Sequence, residues 1–125
     1  MWRVPVEAKM KNETLEKMIV DTDANVSVSF ADGPFGIATA AMDFMEFESG
    51  EKYWWLARVI VKKPYRRQGL GRKLLEELQS RAKGIKIVVC PGGYDISQKE
   101  QFAFYRAMGF VELDNEGGMV WTADL

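Results

Sequence analysis

Apolar and polar residues alternate over residues 26–31, where Val26, Val28 and Phe30 are interleaved with Ser27, Ser29 and Ala31. A period of two lays one face of an extended chain on a core and predicts a half-buried strand. Asp32-Gly33-Pro34 then reads as a turn, with residues 35–44 as the returning arm of a hairpin and residues 46–51 as a solvated loop. Upstream, residues 2–10 read as a first strand that Pro5 confines to an edge, and Asn12 reads as the cap of a short helix carrying Leu15, Met18 and Ile19. Residues 53–61 are almost continuously apolar, broken only by Arg58, which predicts a central strand covered on both faces. From 70 to 83 the period changes: Leu70, Leu74, Leu75, Leu78 and Ala82 share one helical face, Lys73, Glu77 and Arg81 form four-residue charge steps on another, and Gly84 reads as the C-cap. Residues 85–90 predict another strand, stopped by Pro91-Gly92-Gly93. Ser97 and Glu100 have capping-box spacing, which starts a helix at 98–108 that Gly109 ends; residues 110–113 and 119–122 close the chain as two strands. The order β, α, β, β, β, α, β, α, β, β predicts a mixed sheet with helices packed on it.

Composition narrows the chemistry. A chain of 125 residues with 47% hydrophobic content supports one core, and residues 1–125 are read as a single domain. The net charge of -1 gives no bulk attraction to nucleic acid, so no nucleic-acid partner is expected and any basic site must be local. No stretch approaches the roughly 20 apolar residues that span a bilayer, so no membrane partner is expected and the expected location is cytoplasmic. Cys90 is the only cysteine, which excludes an intramolecular disulfide. Histidine is absent altogether. That removes Ser-His-Asp and Cys-His catalysis and His-ligated zinc, and no metal site is expected.

The segment Val59-Ile60-Val61-Lys62-Lys63-Pro64-Tyr65-Arg66-Arg67-Gln68-Gly69-Leu70-Gly71-Arg72 runs from the apolar strand through a basic, glycine-containing turn into the amphipathic helix. The N–H groups of a helix N-terminus lack internal partners and the helix dipole favours anions there, so this junction suits a polyphosphate. Lys62, Lys63, Arg66, Arg67, Arg72 and Lys73 concentrate positive charge at the same turn. Glycine patterns and basic faces are each common without function, but their coincidence at one strand–turn–helix junction is more specific.

Arg66-x-x-Gly69-x-Gly71 in this setting resembles the acetyl-CoA-binding motif of the GNAT N-acetyltransferases, and residues 65–72 resemble the bacterial ribosomal-protein N-terminal acetyltransferases. A second segment, Phe104-Tyr105-Arg106-Ala107-Met108-Gly109-Phe110, resembles the family's later helix-to-strand motif. The resemblance implies an α/β (mixed α+β) fold with a mostly antiparallel sheet, flanking helices and splayed central parallel strands. It implies acetyl-CoA as cosubstrate, with Val59, Ile60 and Val61 pairing with the pantetheine arm. Arg67, Gln68, Gly69, Leu70, Gly71 and Arg72 would surround the pyrophosphate, and Arg66 would open the signature. Gln98 stands where related enzymes often have a cofactor-contacting asparagine, and Tyr105 stands where the family commonly has a tyrosine beside the sulfur.

The implied reaction is direct transfer of acetyl to a primary amine of a small molecule, peptide or protein, with Tyr105 protonating the departing thiolate. Trp55 occupies the position where some relatives place a basic carboxylate, so the base is not transferred from the family. Asp43, Glu46, Glu48 and Glu51 read as a solvated acidic stretch, with contact to a cationic acceptor or a water-relayed proton as the functional alternative, and Asp95 beside the later helix is another candidate base. An acyl-cysteine route through Cys90 lacks a histidine to activate the thiol. The short N-terminal half leads to the expectation of a homodimer or partner completing the acceptor site. A noncatalytic CoA-binding or interaction module is the alternative from another class. A toxin acting on aminoacyl-tRNA is a narrower alternative that the net charge does not favour.

Overall fold

The structure, a computed structural model, describes residues 15–93, 95–113 and 117–123. Seven strands lie in one sheet: β1 (Glu16–Asp21), β2 (Asn25–Asp32), β3 (Phe35–Glu46), β4 (Lys52–Val61), β5 (Ile87–Val89), β6 (Val111–Glu112) and β7 (Met119–Trp121), in the order β1-β2-β3-β4-β5-β7-β6. Every pairing is antiparallel except β4 with β5. Helix α1 (Leu70–Ser80) joins those two parallel strands, as a crossover must, and α2 (Gln98–Ala107) leads from β5 toward the final strands. The mixed α/β fold expected from the sequence is present.

The β2 alternation holds: Val26, Val28 and Phe30 are buried, facing Met42, Ala40 and Ala38 across the ladder. The apolar stripe of α1 covers this face, with Leu74, Leu75 and Leu78 fully buried. Ser29 and Thr39 share the opposite face and their hydroxyls lie 3.1 Å apart.

Three expectations are corrected. The short helix containing Leu15, Met18 and Ile19 is replaced, over its described part, by edge strand β1. Backbone pairing with β2 overrides the helical spacing, and Met18 and Val20 are left exposed while Lys17, Ile19 and Asp21 turn to the α1 side. The expected strand at 2–10 and the Asn12 cap lie outside the described residues. Second, α1 ends at Ser80, before the expected Lys83, and Arg81 is its cap. Lys83 and Gly84 both adopt left-handed backbone (φ 57° and 77°), so Gly84 turns the chain toward β5 and is not the helix cap. The carbonyl of Ala82 accepts hydrogen bonds from Trp54 Nε1 at 3.0 Å and Ile85 N at 3.0 Å, fixing that turn to β4. Third, β4 is not covered on both faces throughout, since Ala57 and Arg58 are exposed. The Ser97 cap stands as expected: its Oγ accepts from Glu100 N at 3.1 Å.

Ile19 packs against the core on the α1 side, and charges add a second tie between β1 and α1. Lys17 Nζ lies 3.2 Å from Glu77 Oε1, and Arg81 bridges Asp21 at 2.9 Å and Glu77 at 3.1 Å. Burial alone would raise the Glu77 carboxyl, but hydrogen bonds and charge from Lys17 and Arg81 outweigh it and hold the group below its ordinary value. A depressed carboxylate contributes stability above its unfolded pKa and loses it as pH falls through the folded one. Glu77→Gln should therefore lower Tm by a few degrees at about pH 7, and the gap between variant and wild type should close as pH falls below roughly 4. Thermal melts across that range test this, and a gap that stays constant would remove the charge explanation.

Candidate functional site

A break in the sheet makes the site. β4 pairs with β5 only at Trp54↔Ile87 and Trp55↔Val88, although β4 continues to Val61. A bulge explains the parting: Met42 faces Leu56 but Ala41 faces Arg58, so Ala57 is the extra residue. Bulges bend a strand and increase its twist, which here swings the C-terminal half of β4 away from β5. Lys62 N donates to Ile37 O at 2.9 Å, so the antiparallel alternation turns the N–H and C=O groups of Val59 and Val61 away from β3, into the gap, and those of Ile60 toward β3. The gap is a cleft of about 230 Å³ whose walls include Trp55, Arg58, Val59, Cys90, Gln101 and Tyr105.

Beyond Val61 the chain makes a 3-10 turn (Lys63–Tyr65) and two left-handed steps, Arg67 at φ 65° and Gly69 at φ 83°, before α1 starts at Leu70. No side chain caps α1; its N-cap is Gly69, so no capping side chain covers the first-turn N–H groups. Arg67 and Arg72 are exposed beside them, Gln68 is half-buried and Leu70 is buried in the core. A Cβ on Gly71 would meet the Phe104 ring at 3.5 Å, an ordinary van der Waals contact, so packing against α2 does not itself demand glycine here.

Arg66 faces the other wall. Its Nε donates to Val61 O at 2.8 Å, and its two terminal nitrogens reach the Asp95 carboxylate at 3.3 and 2.9 Å. The guanidinium thereby ties the end of β4 to the loop before α2, across the cleft. Hydrogen bonding and charge from Arg66 hold the Asp95 carboxyl below the usual carboxylate range, which makes Asp95 a poor proton acceptor.

The loop after β5 is held by two glutamines of α2. Gln98 Nε2 donates to Pro91 O at 3.2 Å. Gln101, 9% exposed, accepts from Gly92 N at 2.8 Å and donates to Ile96 O at 3.0 Å. Sequence reasoning missed Gln101; its signal is the spacing Gln101, Tyr105, Met108, which places a polar group on the buried face of α2. Tyr105 is 6% exposed, packs edge-on to Phe104 and Phe110, and lines the cleft opposite β4. Cys90 is exposed and lines the same cleft.

The early carboxylates are committed elsewhere or open to solvent. Asp43 accepts from Asn25 Nδ2 at 2.7 Å, Glu51 pairs with Lys86, and Glu46 and Glu48 are exposed. Among the described residues there is no cluster of His, Cys, Asp and Glu that could hold a metal, and no helix long and apolar enough to cross a membrane.

The chain belongs to the GNAT acetyltransferases: the profile of the acetyltransferase (GNAT) domain matches residues 18–112. Three solved structures illustrate the likeness. The Bacillus subtilis N-acetyltransferase YlbP in complex with coenzyme A is 20% identical with a TM-score of 0.60, covering 78% of this chain and 68% of that one. PaiA N-acetyltransferase of Thermoplasma acidophilum in complex with coenzyme A is 19% identical with a TM-score of 0.62, covering 79% and 61%. Arabidopsis thaliana NAA60 with a bisubstrate analogue is 13% identical with a TM-score of 0.62, covering 79% and 75%. No curated protein sequence matches the chain.

The two hydrogen bonds of Gln101 fix the loop that closes the cleft. Gln101→Leu keeps the side-chain bulk but leaves Gly92 N–H and Ile96 C=O without these partners, so unfolding free energy should fall by about 1–3 kcal/mol. Urea denaturation reads this directly, and an unchanged midpoint would show that water substitutes for the amide.

Proposed function

We infer that this protein binds acetyl-CoA in the cleft between β4 and β5 and transfers the acetyl group to a primary amine. The observation that carries the reading is the outward-facing backbone of Val59 and Val61, continuous with the left-handed turn and open N-terminus of α1. An extended amide-bearing arm would pair with that free strand edge, as an added strand does. Val61 O is held by Arg66 here, which leaves Val59 N–H and C=O and Val61 N–H for the arm. The N–H groups at the start of α1 and the charges of Arg67 and Arg72 would hold the pyrophosphate. Bound acetyl-CoA supplies an activated acetyl thioester.

Tyr105 is assigned the proton at the sulfur. Its ring is fixed between Phe104 and Phe110, and a phenol with a reference pKa of about 10 can donate to a thiolate. In the overall exchange the amine nitrogen forms the new bond to the acetyl carbon and gives one proton to water, while the carbon–sulfur bond breaks and the sulfur takes one proton from Tyr105. Tyr105 recovers its proton from solvent. With Asp95 depressed by Arg66 and Asp43 bound to Asn25, the base is water and the amine enters as the neutral form. Residues 1–125 are taken as one working domain. The likeness of residues 65–72 to ribosomal-protein N-terminal acetyltransferases keeps a peptide amino terminus among the acceptors, alongside small amines.

Two variants separate binding from chemistry. CoA at one hundred times its Kd should stabilise the wild type by roughly 2.7 kcal/mol. Arg72→Glu should weaken CoA binding at least about tenfold in calorimetry while leaving the fold intact, since the side chain is exposed and an acidic residue in a helix's first turn is favourable. Unchanged affinity would move the pyrophosphate elsewhere. Tyr105→Phe should lower the single-turnover rate by roughly 10- to 1000-fold with little change in CoA affinity. A wild-type rate in a folded variant would exclude Tyr105 as the acid, and a wild type that binds CoA yet acetylates no amine would favour the noncatalytic module.

A further inference from the structure

Among the described residues lining the cleft, Arg58 is the only one with a charged side chain. Its position depends on the bulge. Strict alternation from Trp54 and Leu56 would put Arg58 on the α1 face with the core, but the extra residue Ala57 shifts the phase. Arg58 therefore shares the other face with Trp55, Asp43 and Ala41, and Val59 takes the core side opposite Ala40. The irregularity that opens the cleft thus also aims a guanidinium out of the core.

Nothing among the described residues neutralises that guanidinium. Asp43, whose cross-strand partner Trp55 is on the same face, gives its carboxylate to Asn25 at 2.7 Å. Asp95 is held in two bonds by Arg66. The ion pairs of the described residues involve Lys17, Arg66, Arg81, Lys86 and Arg106, not Arg58. Arg58 is exposed, so its charge is hydrated at no large cost and stands ready for an incoming anion.

We propose that Arg58 selects the acceptor: a small amine that also carries an oxyanion, a carboxylate or a phosphate monoester. This rests on the acetyltransferase reading above. With the pyrophosphate at the start of α1 and the arm running back along Val61 and Val59, the reactive end reaches the bulge, where Arg58 stands. A purely cationic acceptor would meet a like charge there, whereas an oxyanion accepts the paired donors of a guanidinium. The pairing also assists the chemistry. A neighbouring anion stabilises an amine's protonated form, and binding that anion to Arg58 removes the stabilisation, releasing the free amine to water without a protein carboxylate.

The test uses the full chain and matched acceptors: phenylalanine against phenethylamine for a carboxylate, and O-phosphoethanolamine against ethanolamine for a phosphate. Acetyl transfer from acetyl-CoA should favour the anionic member of at least one pair, and the favoured pair names the oxyanion. Arg58→Gln should collapse that preference by about 10- to 100-fold, mainly through KM, and Arg58→Lys should restore part of it. Calorimetry of the CoA-loaded protein with N-acetylphenylalanine and N-acetylphenethylamine, and with the two acetylated ethanolamines, gives a readout independent of turnover. Arg58-dependent binding of an anionic product without any turnover would keep this proposal and remove the acetyltransferase activity. Equal use or equal binding within both pairs, no binding of any acetylated compound together with no turnover, or a preference that survives Arg58→Gln overturns it. So does an equal loss of CoA affinity in Arg58→Gln, which would assign the guanidinium to the cofactor.

Discussion

β4 and β5 cannot stay together beyond Trp55 and Val88, and the rest of the molecule is arranged around that failure. The extra residue Ala57 bends β4, while Pro91 follows soon after β5 ends at Val89 and offers no N–H to extend the ladder. An unpaired strand edge inside a sheet is costly unless its polar groups find partners. Here one of those groups, Val61 C=O, is taken by Arg66, and the others face a cleft that a ligand's amides can enter. A parallel pair also needs a crossover connection, here made by α1, whose N-terminus follows directly on the free end of β4 and so falls beside the open end of the gap. The strand edge and the anion-favouring helix end are therefore two results of one constraint.

Holding such a cleft at a fixed width needs connections across it, because the sheet no longer provides them. Arg66 spans from Val61 to Asp95 on one side, and Gln79 Nε2 reaches Met108 O at 2.9 Å to join α1 to α2 behind it. Gln101 fixes the loop between them through Gly92 and Ile96. Each is a charged or amide side chain bonded to backbone or carboxylate, so the width is set by directional bonds and not by apolar packing alone. The acidic partner in this scheme, Asp95, is thereby removed from acid–base work. Structural use of the carboxylate and its depressed pKa are the same fact.

Period and punctuation carried most of the fold. Val26, Val28 and Phe30, the leucines of α1 and the Ser97 cap are written locally and stand where the pattern puts them. Met18 and Ile19 are not: their spacing fits a helix, and only the neighbouring edge of β2 makes them a strand. The bulge escaped for a related reason. Trp54, Trp55 and Leu56 read as one apolar run with Val59 to Val61; Arg58, a charge where strict alternation from Trp54 and Leu56 would place a core residue, is its one mark, and the extra residue Ala57 becomes explicit only in the register with Ala41 and Met42. The basic turn and its glycines were legible as a motif, but the division of labour within it was not. Arg66 reaches the Val61 carbonyl and Asp95, and the Asp95 contact depends on a chain segment about thirty residues away.

The absence of histidine gives these contacts their chemical meaning. Without an imidazole, proton transfer near neutral pH falls to groups whose ordinary pKa is displaced from it, carboxylates below and thiol, phenol and ammonium above, and such groups depend on position to compensate for driving force. Tyr105, to which the proposed reaction gives the proton, is a residue held in this way: Phe104 and Phe110 fix its ring, and it lines the cleft. No described carboxylate is so placed: Asp43 and Asp95 are bonded, and Glu51 is paired with Lys86 near the closed end of the strand pair. In the proposed reaction, a site so built gains more from an amine that arrives unprotonated than from a residue that deprotonates it. A cation at the bulge is one way to do that, because it acts on the amine's equilibrium before any bond is made. On this view the chemistry of acceptor choice and the chemistry of acceptor activation reside in one side chain, Arg58, whose placement follows from the same extra residue that opened the cleft.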